Sequence, residues 1–195
     1  MKLSAALPKE FPEYISKERK KVMKPILYIV IPCYNEEEVL PKTKNIFLNK
    51  ITDLVSLGKI DEQSRVLFVN DGSRDDTWKI ISDLAKENHY FKGISLSRNR
   101  GHQNALLAGL DEARNFADIT VSIDCDGQDD INAVDQMIDA YLDGSDIVYG
   151  VRNDRTSDSH FKRATAQGFY KLLNLMGAEV VYNHADYRLM SKKAL

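Results

Sequence analysis

Apolar blocks separated by polar stretches run along this chain in the rhythm of alternating strands and helices. Residues 26–31 are an unbroken apolar run, the pattern of a strand covered on both faces. The run stops at Pro32-Cys33-Tyr34-Asn35-Glu36, and helical spacing follows to about residue 57. A second strand is expected over 65–70, then a polar turn at 71–77 and a helix over about 78–88. A short third strand over 93–97 leads through a polar stretch at 98–104 to a helix over 105–114. The fourth apolar run begins at Ile119 and breaks off in Asp124, Asp126, Gln128, Asp129 and Asp130, four carboxylates and an amide within seven residues. A helix over about 133–142 follows, with Met137, Ile138 and Tyr141 at core spacing, then a fifth strand over 146–151. A charged loop, a helix over 161–176 and a final polar-apolar stretch at 184–190 complete the pattern.

Strands alternating with helices imply βαβ units, hence an α/β fold with a mostly parallel twisted sheet and right-handed crossovers. Ligands of such sheets lie beyond the carboxyl ends of the strands, near the point where strand order reverses. The polar clusters at 32–38, 71–77 and 124–130 all follow strands, so they should meet at one edge. Residues 1–24, with Pro8, Pro12 and a basic run at 17–21, read as a leader, flexible or loosely docked. Its basic residues could also touch an anionic membrane surface. Residues 25–195 form the expected domain, and 195 residues suit one core rather than two.

Composition narrows the function classes. A formal net charge of -2 argues against a nucleic-acid binder. Cys33 and Cys125 sit beside the polar clusters, too few for a disulfide framework, which favours a reducing compartment. Neither a membrane-spanning run nor a signal-peptide core is legible, so the chain as it stands is expected to be soluble.

Crowded carboxylates repel one another unless a cation sits among them, and hard oxygen ligands select Mg2+ or Mn2+. The plainer alternative is a solvated acidic turn, with Asp129 or Asp130 as N-cap of the next helix. Neither a Gly-x-x-x-x-Gly-Lys-Ser/Thr loop nor a Gly-x-Gly-x-x-Gly turn after the first strand is present. Phosphates would therefore be neutralised by a metal on Asp124, Asp126 or Gln128, helped by Arg152, Arg155 or Arg163. Glu36 and Asp71 are acceptors suited to ribose hydroxyls and base N–H groups. Together these describe a nucleotide-activated donor meeting an anionic acceptor.

Three segments, Ile31-Pro32-Cys33-Tyr34-Asn35-Glu36, Val69-Asn70-Asp71-Gly72-Ser73 and Asp124-Cys125-Asp126-Gly127-Gln128-Asp129, together resemble family 2 glycosyltransferases of the GT-A fold. Further stretches are similar to the polyprenyl-phosphate branch, which includes bactoprenol glucosyltransferases and dolichyl-phosphate mannose synthases. They are 97–110, Arg152-Asn153-Asp154-Arg155, Lys162-Arg163 and Ala185-Asp186-Tyr187-Arg188-Leu189. The resemblance covers about residues 25–195. It implies an inverting transfer of sugar from a UDP- or GDP-sugar to a polyprenyl phosphate, in cell-envelope glycan synthesis. In that reading Pro32, Tyr34 and Glu36 line base and ribose, Asp71 reads the base, and Gly72 and Ser73 belong to the same nucleotide site. Asp124 faces the sugar or ribose, while Asp126 and Gln128 hold the metal and diphosphate. Arg152 and Arg163 grip the acceptor phosphate, and Asp186 serves catalysis or acceptor placement.

An acceptor phosphate with a second pKa of about 6 is already nucleophilic at neutral pH and needs no general base. A sugar-hydroxyl acceptor on a cell-surface polysaccharide, the competing reading, would need one, with Asp186 the leading candidate. A non-catalytic nucleotide-sugar-binding domain is the third. His102 stands where relatives often carry lysine and is expected as a surface residue at a helix start, and Gln167 stands where some carry a phosphate-binding serine. Members of the branch commonly continue into amphipathic or transmembrane helices. The expected parent thus sits on the cytoplasmic face of a membrane, contacting it through a later segment or a separate partner. The sequence assigns no oligomeric state.

Overall fold

The computed structural model describes residues 24–151 and 184–195, the side chains of 151 and 184–186 excepted. The expected leader, apart from Lys24, the helix at 161–176 and Gln167 fall outside the described residues. The elements are β1 (Leu27–Cys33), α1 (Leu40–Ser56), β2 (Arg65–Asn70), α2 (Thr77–Glu87), β3 (Phe91–Ser95), α3 (His102–Ala113), β4 (Ile119–Ser122), α4 (Ala133–Leu142), β5 (Ile147–Val151) and β6 (His184–Ser191).

These strands form one sheet in the order β3-β2-β1-β4-β6-β5. The β1–β2, β2–β3 and β1–β4 pairs are parallel, as the βαβ pattern requires. β6 was not foreseen. It inserts antiparallel between β4 and β5, setting Arg188 against Ser122 on one side and Tyr149 on the other.

β1 is buried along its whole length, and its two faces feed two cores. Leu27, Ile29, Ile31 and Cys33 pack with residues of α1, α2 and α4, including Phe47, Ile81 and Ile138. Tyr28 and Val30 pack with Ala105, Leu106 and Leu110 of α3. Each fully buried aliphatic side chain contributes roughly 1.5–3 kcal/mol, which makes β1 the spine of the domain. Because α1 and α2 cover one face and α3 the other, strand order reverses between β1 and β4. The crevice beyond the carboxyl ends of those two strands is where this architecture places a ligand. No described helix is long and apolar enough to cross a membrane.

Candidate active site

Three loops at the carboxyl edge are fastened to one another. Asn35 follows β1 with φ 55, a left-handed conformation that asparagine tolerates better than most residues. Its N–H donates to Ser73 Oγ at 3.0 Å, and its side-chain oxygen accepts the Arg74 N–H at 2.9 Å. The Glu36 N–H donates to Thr77 Oγ1 at 2.7 Å, the Glu37 N–H to Asp75 at 3.1 Å, and Glu37 accepts the Asp76 N–H at 2.9 Å. Burial alone would raise the Asp75 pKa. Hydrogen bonds from the Thr77 hydroxyl and from the backbone of Thr77, Glu37 and Asp75 itself outweigh that, holding it below the ordinary carboxylate range.

Asp71 directly follows β2 and is 2% exposed. Its two oxygens accept the N–H groups of Arg100 at 2.7 Å and Gly101 at 2.9 Å, pinning the β3–α3 loop. That loop crosses directly over Gly72. A Cβ there would lie 2.4 Å from the Arg98 carbonyl carbon, and Gly72 has φ 63, so glycine is required twice over.

Two adjoining clefts open at this edge. The smaller, about 190 Å³, is walled by Pro32, Tyr34, Glu36, Asp71, Asn99 and His102, among others. The larger, about 370 Å³, shares Pro32, Glu36 and His102 and adds Asp124, Cys125 and Asp126. Burial, and then repulsion from Asp126, Asp75 and Asp124, push the Glu36 carboxyl above its ordinary pKa. His102 Nε2 lies 3.8 Å from Asp124 Oδ1 and, when protonated, pairs with it. Cys33 and Cys125 are both buried. A hydrogen bond with Cys125, burial, and the charges of Cys125 and Glu36 raise the Cys33 thiol well above its ordinary value, so it remains a packing group and no nucleophile.

The loop after β4 holds its acids differently. Asp126 Oδ1 accepts the Gln128 N–H at 2.9 Å, and Asp130 Oδ1 accepts the Asn132 N–H at 3.0 Å, two local turns. The residue directly before α4 is Asn132, with no side-chain cap, and Asp130 closes the turn leading into the helix, its Oδ1 accepting the Asn132 N–H and its carbonyl the Ala133 N–H, as the plainer alternative expects of it. Among the described residues, no group of three or more His, Cys, Asp or Glu side chains forms a metal cage. The donor set nonetheless fits Mg2+ or Mn2+, which usually take one or two protein carboxylates and complete their shell with water and substrate phosphate. Asp124 and Asp126 supply such carboxylates beside a cleft already crowded with negative charge.

Of the residues named from sequence, Pro32, Tyr34, Glu36, Asp71, Asp124 and Asp126 are brought together as cleft walls. Ser73 instead fastens the β1–α1 loop, and Gly72 makes room for the β3–α3 loop. Gln128 is exposed on the acid loop. Asp186 belongs to β6 with its side chain undescribed, and Arg152, Arg155 and Arg163 lie outside the described residues. Sequence reasoning passed over His102, Asn99 and Gly101 as site residues. The signal was present: residues 98–104 form a fourth polar cluster after a parallel strand, at the same edge as the other three.

A family model described as glycosyl transferase family 2 matches residues 28–195. The uncharacterized glycosyltransferase YkoT of Bacillus subtilis is 47% identical over 175 residues, 90% of this chain and 52% of the relative. The prophage bactoprenol glucosyl transferase homolog of Escherichia coli K12 is 38% identical over 165 residues, 84% of this chain and 51% of the relative. The chain thus spans about half the length of the curated relatives it matches. The mannosyltransferase PcManGT from Pyrobaculum calidifontis, solved with GDP-Man and Mn2+, superposes with a TM-score of 0.58 at 16% identity, over 88% of this chain and 46% of that one. That likeness is one of fold, the GT-A architecture.

Proposed function

Since the chain belongs to glycosyl transferase family 2, we propose that it transfers a sugar, with inversion, from a UDP- or GDP-sugar to a polyprenyl phosphate of the bactoprenol type, in cell-envelope glycan synthesis at the cytoplasmic face of a membrane. The observation that carries this reading is the meeting of Pro32, Glu36, His102, Asp124 and Asp126 around one cleft where strand order reverses. The bactoprenol name of the Escherichia coli relative supports the choice of acceptor.

In this reading the smaller cleft takes the nucleoside. Glu36 accepts from the ribose hydroxyls, and Tyr34, 39% exposed, offers its ring to the base. Asp71 fixes the cleft wall through the N–H groups of Arg100 and Gly101, and its remaining lone pairs are acceptors for the base. Asp124 and Asp126 hold Mg2+ or Mn2+ at the larger cleft, with Gln128 beside them. When bound, the cation supplies Lewis-acid neutralisation of the departing diphosphate, a term worth several kcal/mol. His102, with Nε2 3.8 Å from Asp124, adds a donor at the same cleft.

The acceptor phosphate oxygen forms a bond to the anomeric carbon as the bond from that carbon to the nucleotide β-phosphate breaks. The electron pair leaves with the nucleoside diphosphate. A phosphate of second pKa about 6 is ionised at neutral pH, so this step needs positioning rather than a base. Arg152 and Arg163 are the residues proposed to grip that phosphate, and Asp186 to place it.

Transfer of labelled sugar to short-chain polyprenyl phosphate, measured beside an oligosaccharide acceptor, tests the proposal. Label in the lipid phosphate product is the expected result, and label only in the oligosaccharide would overturn the acceptor assignment. Arg163→Ala should raise the acceptor concentration required and leave donor affinity unchanged.

A further inference from the structure

Resting on that reading, we propose that Tyr187 is a positioning residue for the cation-binding loop: its hydroxyl tethers residues 124–130 to β6, the strand that carries Asp186, and so sets the donor side of the site against the acceptor side. The Tyr187 hydroxyl donates to the Asp130 carbonyl at 2.9 Å, linking positions 57 residues apart. The same carbonyl accepts the Ala133 N–H at 3.0 Å, so one oxygen ties the end of the acid loop both to the first turn of α4 and to the sheet.

The ring is placed as firmly as its hydroxyl. Tyr187 is 5% exposed and packs in the core with Met137 and Leu189. It lies against Gly150 of β5, where a Cβ would come within 2.5 Å of the ring Cδ1. A side chain at that position would drive the ring off its seat. β6 is in turn fixed by ladders on both sides, Arg188 opposite Ser122 of β4 and Tyr149 of β5. The Asx turn at Asp126 gives the acid loop its local shape but spans only two residues and anchors nothing to the sheet. Ile123 and Cys125 hold the near end of the loop in the core, and the phenol anchors its far end. Burial first, and then the charges of Asp129, Asp130 and Asp135, push it far above its ordinary pKa, so it remains a protonated donor at any physiological pH.

Partners that orient metal ligands from behind commonly change metal affinity 10–100-fold when removed. Tyr187→Phe keeps the ring and deletes the tether. Titrating Mn2+ into the whole chain with saturating UDP or GDP should show affinity about tenfold weaker than wild type. The donor KM should rise while the acceptor KM stays put. Amide exchange of residues 124–132 should quicken while that of β1 and β2 does not change. Gly150→Ala, which displaces the ring with the hydroxyl intact, should give the same pattern. A Tyr187→Phe protein with wild-type Mn2+ affinity, whether or not its melting temperature falls, would overturn the inference, because a merely structural residue lowers the amount of folded protein without changing the affinity of what is folded. A wild-type chain that binds neither nucleotide in a cation-dependent manner would overturn the functional reading, and the inference with it.

Discussion

On one side of the cleft, five hydrogen bonds from backbone N–H groups to side-chain oxygens join the β1–α1 loop to the β2–α2 loop and the start of α2, and Asp71 then locks the β3–α3 loop onto the second of these. On the other side, the loop after β4 carries its acids on local turns, with Asp126 exposed and Glu36 facing it in mutual repulsion. The nucleoside side has its loops fastened to one another before any ligand arrives, so binding there costs little backbone reorganisation. The acid side gathers Glu36, Asp124 and Asp126 at one cleft, and a bound cation would offset their mutual repulsion. One half of the site is made by folding, and the other is completed by its ligands.

Substitutions can break either half. Gly72→Ala forces a Cβ into the backbone of Arg98 at a left-handed position, and overpacking with backbone strain should destabilise the chain by about 3 kcal/mol. Thermal or urea unfolding measures it, and wild-type stability would show that the three loops are not locked. Asp126→Ala should weaken Mn2+-dependent nucleotide binding by about 100-fold, of the size seen when one transition-state or metal contact is lost. Because Asp126 is exposed, its melting curve should hardly change. Unchanged Mn2+ titration would remove Asp126 from the cation site.

Smaller effects sharpen the contrast. Asn35→Ala loses the acceptor for the Arg74 N–H and a residue type tolerant of φ 55, for about 1–2 kcal/mol. Asn35→Gly should recover the part due to backbone conformation. The smallest effect is that of Glu36. Its folded pKa is raised above the unfolded one, so its relative contribution is fully present below the ordinary carboxylate pKa and is lost as pH rises through the folded value. Glu36→Gln should therefore flatten the stability-pH curve just above pH 4.5 and slightly stabilise the cation-free chain at neutral pH. A steeper curve would contradict the repulsion ascribed to Asp126 and Asp124.

Much of this arrangement was legible in the sequence because it is local. β1, β2 and β4 announce themselves as apolar runs, and a polar cluster after each parallel strand must lie at one edge. What escaped was set by partners distant in the chain. β6 reads His-Ala-Asp-Tyr-Arg-Leu-Met-Ser, half polar, and becomes a strand because β4 and β5 leave a gap for it. Ser73 accepts an N–H from Asn35, 38 residues away, a loop-fastening contact that its sequence neighbours do not announce. Asp71 lines the cleft as expected, and what the sequence did not show is that its two oxygens also accept N–H groups of the β3–α3 loop, about 30 residues away. His102 was expected as a surface residue at a helix start, and it is exposed at the first position of α3; what the sequence did not show is that its Nε2 lies 3.8 Å from Asp124 there.

The division of the site is tested most directly by calorimetric titration of uridine, UDP, guanosine and GDP into the whole chain, with Mn2+ and again with a chelator. The account predicts that Mn2+ strengthens the preferred nucleoside diphosphate at least tenfold, about 1.4 kcal/mol or more, and leaves the matching nucleoside unchanged. Equal strengthening of nucleoside and diphosphate, or of neither, would contradict it.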